Sequence, residues 1–125
     1  MKNALLNYVA AFPGKYIQGE QALTGLPELS SRLAERALLL ASPTIVGKGL
    51  PQHLSTEDLS RFHVETFRGE CCQQEIERLL AVVRQKKIGL LVGMGGGKTL
   101  DTAKIVADKA DIPVIIVPTI ASTDA

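Results

Sequence analysis

The stretch Ile88-Gly89-Leu90-Leu91-Val92-Gly93-Met94-Gly95-Gly96-Gly97-Lys98-Thr99-Leu100 decides the fold. Ile88 to Val92 is an apolar run of strand length that passes straight into Gly93. A helix begins near Lys98, with Leu100, Ala103, Ala107 and Ala110 on one side. Asp111-Ile112-Pro113 breaks it. A buried strand, a glycine turn and a helix in immediate succession form the repeating unit of parallel sheets.

The same alternation extends both ways. Downstream, Val114 to Val117 reads as a strand and Pro118 stops it. Upstream, Ile76, Leu79, Leu80 and Val83 fall at i, i+3, i+4 and i+7 and line one helix face. Glu75, Glu77, Arg78 and Arg84 take the other positions. His63 to Phe67 alternates as a strand, and Arg68-Gly69 breaks it. Ser55-Thr56-Glu57-Asp58 resembles a capped helix start leading into Leu59 and Phe62. Ala37 to Ala41 is continuously apolar, the mark of a strand buried on both faces, and Ser42-Pro43 bounds it. Pro27 is expected in the first turn of a helix running to about Glu35, where its missing N–H has no partner to lose. Gly47, Gly49 and Pro51 argue against a long helix over residues 43–52. Lys15 to Gln18 reads as a short extended piece. The fold class expected is α/β, a mostly parallel sheet with flanking helices and right-handed crossovers.

Composition narrows the function classes. The 125 residues are the size of one domain. Fourteen Lys+Arg against thirteen Asp+Glu give a net charge of +1, too little for nucleic-acid binding by bulk charge. Aromatics are 4% and Trp is absent, which argues against base-stacking platforms. At 46% apolar the chain can bury a core. Its apolar runs are far shorter than the roughly 20 residues of a membrane helix. Adjacent Cys71 and Cys72 cannot build a disulfide framework, which fits a reducing, cytoplasmic setting. Ala4 to Phe12 is interrupted by Asn7 and preceded by one positive charge, so it reads as a short strand or arm, not a signal peptide.

Gly93-Met94-Gly95-Gly96-Gly97-Lys98-Thr99 is the strongest functional signal. Glycines let backbone approach a ligand closely. The helix N-terminus behind them offers unpaired N–H groups and a partial positive charge, together an anion site suited to phosphate or pyrophosphate. The P-loop pattern fails, because its first glycine would fall on Val92. The G-x-G-x-x-G fingerprint fails, because its third glycine would fall on Lys98. The loop is therefore a phosphate cradle of another kind; the plain alternative is a ligand-free turn. A second cluster, Pro118-Thr119-Ile120-Ala121-Ser122-Thr123-Asp124, follows the last strand on the same expected rim. Its hydroxyls and carboxylate can bond a cofactor and a polyol, or simply form a polar tail.

At Gly95-Gly96-Gly97-Lys98-Thr99-Leu100-Asp101-Thr102-Ala103-Lys104 the sequence resembles the glycerol dehydrogenases, within the iron-containing alcohol dehydrogenase and dehydroquinate synthase-like superfamily. The resemblance continues at Pro118 to Ala125, at Pro13-Gly14-Lys15-Tyr16-Ile17-Gln18-Gly19 and at Gly69-Glu70, in order along nearly the whole chain. It implies a Rossmann-like NAD-binding N-terminal domain over residues 1–125, without the helical metal-binding C-terminal domain. It also implies the oxidation of glycerol to dihydroxyacetone by hydride transfer to NAD, with zinc bound. Gly95, Gly96, Gly97 and Lys98 then meet the pyrophosphate region, and Asp101 falls on another cofactor-site position. The bland role for Asp101 is a carboxylate favouring a helix N-terminus. Thr119 and Ser122 match cofactor contacts, and Asp124 matches a residue that binds glycerol hydroxyls.

One departure stands after the strand at 37–41. The family usually has an Asp there for the adenosine ribose; this chain has Ser42. That removes an acceptor and also the charge that repels a 2′-phosphate, so NAD affinity or NAD preference should relax. The zinc ligands implied by the family, one Asp and two His, belong to the C-terminal domain. His53 and His63 match no ligand motif and read as surface or strand-edge residues. Cys71 and Cys72 read as ordinary thiols opening a helix. The expectation is a truncated dehydrogenase, inactive alone, with a sheet edge left open. Two further readings stay open: a stand-alone nucleotide- or phosphate-binding module, and a lobe of a related polyol or polyol-phosphate dehydrogenase. An oligomer is compatible with the full-length family.

Overall fold

The computed structural model describes residues 14–16, 20–49 and 54–118. Among the described residues five strands, β1 (Gly14–Tyr16), β2 (Ala37–Ala41), β3 (Phe62–Thr66), β4 (Leu90–Gly95) and β5 (Val114–Pro118), form one sheet in the order β1-β5-β4-β2-β3. Every pairing is parallel. The α-helices described between them are α1 (Glu20–Leu33), α2 (Thr56–Leu59), α3 (Gln73–Gln85) and α4 (Gly97–Ala110). A single wide π-type turn, Ile45–Gly49, follows β2. The expected α/β architecture is present.

Period-two alternation divides the strand side chains between two cores. Leu39, Ala41, Val92, Met94, Ile115 and Val117 face one layer, with Leu26, Ile45 and Leu54. Leu38, Leu40, Leu91, Val114 and Ile116 face the other, with Leu79, Val83, Ala103 and Val106 of α3 and α4. This two-sided burial explains why β2 and β5 read as unbroken apolar runs.

The topology positions a site. β2 connects outward to β3, whereas β3 leads back to β4 on the other side of β2. The strand order therefore reverses between β2 and β4, and open α/β sheets bind ligands beyond the carboxyl ends of strands at such a point. Pairing of Ala41 with Met94 places Ser42 and Gly95 as neighbours on that rim.

Several boundaries differ from the sequence reading. α1 starts at Glu20, so Pro27 lies inside the helix instead of in its first turn. Proline removes one backbone donor there, but the helix persists because Leu26 is fully buried against the sheet. β4 continues three residues beyond Val92, through Gly93, Met94 and Gly95. Ladder pairing with Ile116, Val117 and Pro118 holds those residues extended despite their low strand propensity. The helix expected at Ser55 is one turn long and ends at Leu59, while Phe62 opens β3. Its cap is as expected, with Ser55 Oγ accepting from Asp58 N–H at 3.1 Å. The readings on Ala4 to Phe12, Ile17-Gln18 and His53 lie outside the described residues.

Candidate functional site

The glycines of the loop do three different jobs. Gly93 is a packing residue: a Cβ built on it would lie 2.6 Å from Ala103 Cβ. Its absence lets β4 and α4 approach. Gly95 has φ +148, a conformation that L side chains rarely adopt, and a Cβ there would meet Thr99 Oγ1 at 3.2 Å. Gly96 and Gly97 are exposed, and a Cβ on either would meet nothing within 4 Å. The space above these two is open to a ligand.

Behind that space stands the N-terminus of α4. Gly96 is its cap residue, with no side-chain cap bond and no acidic residue in the first turn. The first intrahelical bond runs from Leu100 N–H to Gly96 O at 3.0 Å. The N–H groups of the preceding residues point out of the helix without intrahelical acceptors. An anion laid across Gly96 and Gly97 would receive those donors and the helix dipole. The residues present thus fit a dinucleotide pyrophosphate. Thr99 is buried under the turn, and Thr102 Oγ1 donates to Lys98 O at 2.8 Å, which fixes the first turn.

Lys98 projects from this turn into solvent, where its Nζ lies 3.2 Å from Glu70 Oε2. Both side chains are well exposed, so the pair is weak and Lys98 remains able to turn to a bound phosphate. Asp101 is exposed and is the fifth residue of α4. It lies beyond the first turn, so the bland role of a carboxylate serving the helix N-terminus loses its geometry. Thr119, Ser122 and Asp124 lie outside the described residues.

The loop carrying Glu70 is anchored by a charge network that the sequence reading missed. Helical spacing put Glu75 on the polar face of α3; it is instead buried, 4% exposed. Glu75 accepts from Arg68 N–H at 3.1 Å and from Arg78 Nε and Nη2 at 2.9 and 2.8 Å. Arg78 also donates to Glu65 Oε1 at 2.6 Å and to Thr66 O at 3.2 Å. His63 Nε2 lies 2.8 Å from Glu65 Oε2. The Arg78 fork holds the Glu75 carboxyl below the usual glutamate range, against the opposing pull of burial. At Glu65, burial pushes upward, but bonds from Arg78 and His63 outweigh it and the net direction is also down. The two carboxylates raise Arg78 in turn. The visible hint was the Glu75-x-x-Arg78 spacing, which places the two on one helix face.

Depressed carboxyl values stabilise the fold above the ordinary glutamate pKa, and that stability is lost as pH falls through the folded values. Glu75→Ala should therefore cost about 2–3 kcal/mol at neutral pH, since it leaves Arg78 half-paired and the Arg68 N–H without its acceptor. Thermal unfolding from neutral pH to below about pH 4 checks this. Wild type should lose stability more steeply with acid than the variant does. Parallel pH profiles would remove Glu75 from the network's energetics.

Among the described residues, no three His, Cys, Asp or Glu side chains group as a metal site needs. Cys72 is the cap residue of α3 without a side-chain cap bond, and both cysteines are thiols. No helix among the described residues is long and apolar enough to cross a membrane.

A parallel sheet whose glycine loop opens a helix at the switch point is an arrangement in which open α/β proteins bind ligands. The family model for iron-containing alcohol dehydrogenases matches residues 13–125, and the chain belongs to that family. It is 47% identical over 115 residues to the glycerol dehydrogenase of Thermotoga maritima, which covers 91% of this chain and 31% of that protein. It is 41% identical to the glycerol dehydrogenase of Citrobacter freundii, over 90% of this chain and 32% of that one. Among solved structures, a probable glycerol dehydrogenase from Sinorhizobium meliloti superimposes with a TM-score of 0.72 at 40% identity. That match covers 86% of this chain and 29% of the other. The resemblance read from the glycine loop is borne out, and the chain spans about a third of the length of the curated relatives it matches.

Proposed function

We propose that this chain is the nucleotide-binding part of an NAD-dependent glycerol dehydrogenase, an oxidoreductase taking glycerol to dihydroxyacetone. The observation that carries the reading is the open surface over Gly96 and Gly97, at the bare N-terminus of α4, on the switch-point rim. Identity of 41–47% to glycerol dehydrogenases supports the choice of alcohol.

In this reading Gly95 supplies the turn, and the N–H groups beyond Gly96 hold the pyrophosphate. Lys98 adds a positive charge once it leaves Glu70. Asp101, Thr119 and Ser122 complete the cofactor contacts, and Asp124 accepts from the hydroxyls of a glycerol-like polyol; a carboxylate can take two such donors at once. Bound NAD supplies the hydride acceptor. Zinc, when bound to the family's Asp and His ligands, polarises the alcohol oxygen. No described residue of this chain is assigned as a zinc ligand, so the part played here is to bind and orient the cofactor.

Calorimetric titration of the 125-residue protein with NAD+ should give saturable binding. A glycerol oxidation assay of the same protein with added Zn2+ should give no turnover. Absence of saturable binding at millimolar NAD+ would sink the nucleotide reading. Turnover would show that these 125 residues carry the chemistry themselves.

A further inference from the structure

Glu70 touches the glycine loop but has no part in the binding contacts assigned above. Its carboxylate lies 3.2 Å from Lys98 Nζ, a contact across 28 residues of chain that joins the exit of β3 to the first turn of α4. Among the described residues neither partner makes another ion pair. A carboxylate set against the lysine of an anion site opposes the anion. A conflict of that kind between a residue and its surroundings marks a functional position.

The backbone under Glu70 is fixed on both sides. Phe67 is buried, and its N–H donates to Ala41 O at 2.7 Å. Arg68 N–H donates to the buried Glu75 carboxylate at 3.1 Å. Gly69 turns the chain at φ +105, a conformation that L side chains rarely adopt. Beyond Glu70, Cys72 is the cap residue of α3, and its carbonyl accepts from Ile76 N–H at 3.0 Å. An anchored residue thus stands two positions away in each direction, and the carboxylate stays on the rim whatever its rotamer. The side chains of Lys98 and Glu70 are 66% and 72% exposed, so their pairing adds little to folding. What it sets is the charge that an arriving ligand meets.

We infer that Glu70 is a charge-selectivity residue of the anion site: it neutralises Lys98 in the free protein and shifts preference toward a dinucleotide, away from compact anions of higher charge such as ADP and inorganic pyrophosphate. This rests on the nucleotide-binding reading above and names what that site disfavours. A phosphate reaches Lys98 only by displacing the carboxylate. An anion that depends on the lysine charge loses most by that exchange, and a dinucleotide held also through its other parts loses least. The attraction withheld grows with ligand charge. A terminal phosphate brings about −1.5 to −2 charges, more than the single charge of a phosphodiester.

Calorimetry on the 125-residue protein at low ionic strength, with NAD+, ADP and inorganic pyrophosphate as ligands, tests it. Glu70→Gln should tighten NAD+ by about threefold and the two more highly charged ligands by about tenfold, the scale of one exposed charge acting near the dielectric of water. The gain should vanish in about 1 M salt, where the Debye length is about 3 Å. In a Lys98→Ala background the same substitution should change each affinity by less than about twofold. A thermal melt confirms that each variant folds. Equal tightening of all three ligands, or a gain that survives the loss of Lys98, overturns the inference. If wild type and Glu70→Gln bind NAD+ and ADP with the same affinities, this inference alone falls. If neither protein binds any of the three, the nucleotide reading falls and takes it along.

Discussion

Gly96→Asp is expected to lower NAD+ affinity at least about a hundredfold while leaving the fold as stable as wild type or slightly more so. The stability half follows from the helix. Gly96 is the cap residue of α4, at φ −89 and ψ −170, an extended conformation open to any residue. Aspartate is a better cap than glycine by a few tenths of a kcal/mol, because its carboxylate accepts from the N–H groups of the first turn. Nothing within 4 Å obstructs the new Cβ. The binding half follows from the same contacts. The carboxylate occupies the donors a pyrophosphate needs and sets a negative charge beside it. Two like charges about 5 Å apart cost about 3 kcal/mol at an effective dielectric of 20, and each 1.4 kcal/mol is about tenfold in affinity. Gly96→Ser is the companion variant: it supplies a cap without the charge, and should lose far less affinity. Titration calorimetry and thermal melts on both variants decide the matter. A Gly96→Asp protein that binds NAD+ like wild type would move the pyrophosphate off this loop.

The opposite signs in that prediction show which parts of this chain were legible in sequence. A Gly-Gly-Gly run opening a helix is locally inferior to Asp or Ser at the cap, and such a conflict between local preference and observed residue marks a functional place. The strands were legible because burial on both faces writes continuous apolar runs, as at Ala37–Ala41, where the boundaries agree with the structure. α1 was legible only in part, because Pro27 mimics a helix start. β4 was read short because glycine has low strand propensity, and tertiary pairing overrode it. Glu75 was misplaced for a different reason. Period counting sorts residues by polarity, and a buried carboxylate held by a guanidinium fork and a backbone N–H is polar by type and internal by position. Arg68 was read only as a strand breaker. Its place in one depression with Pro43 depends on β3 pairing with β2, and no local pattern encodes which strands become neighbours.

Gly93→Val is expected to unfold the protein at room temperature or lower its stability by at least about 3 kcal/mol, and Gly93→Ala by about 1–3. Gly93 and Gly96 stand three residues apart in one glycine-rich loop, yet the two substitutions should fail in opposite ways. At Gly93 even one methyl carbon would sit 2.6 Å from Ala103 Cβ, with Leu100 Cδ2 at 3.6 Å and Ile116 Cδ1 at 3.7 Å. Ordinary carbon contacts need 3.5–4.0 Å, so β4 and α4 must separate by about 1 Å. The residues that would have to move, Ala103, Val106 and Ile116, are buried in one close-packed layer with α3. Ala103→Gly provides the decisive cross-check. Alone it is destabilising, because glycine inside a helix costs about 1 kcal/mol. Combined with Gly93→Ala it removes the methyl that clashes, so the double variant should be more stable than Gly93→Ala alone, with a favourable coupling of about 1–2 kcal/mol. Denaturant unfolding of the four proteins measures that coupling. Additive losses would mean that the helix and strand can part without cost, and that Gly93 serves the ligand side of the loop instead of its packing.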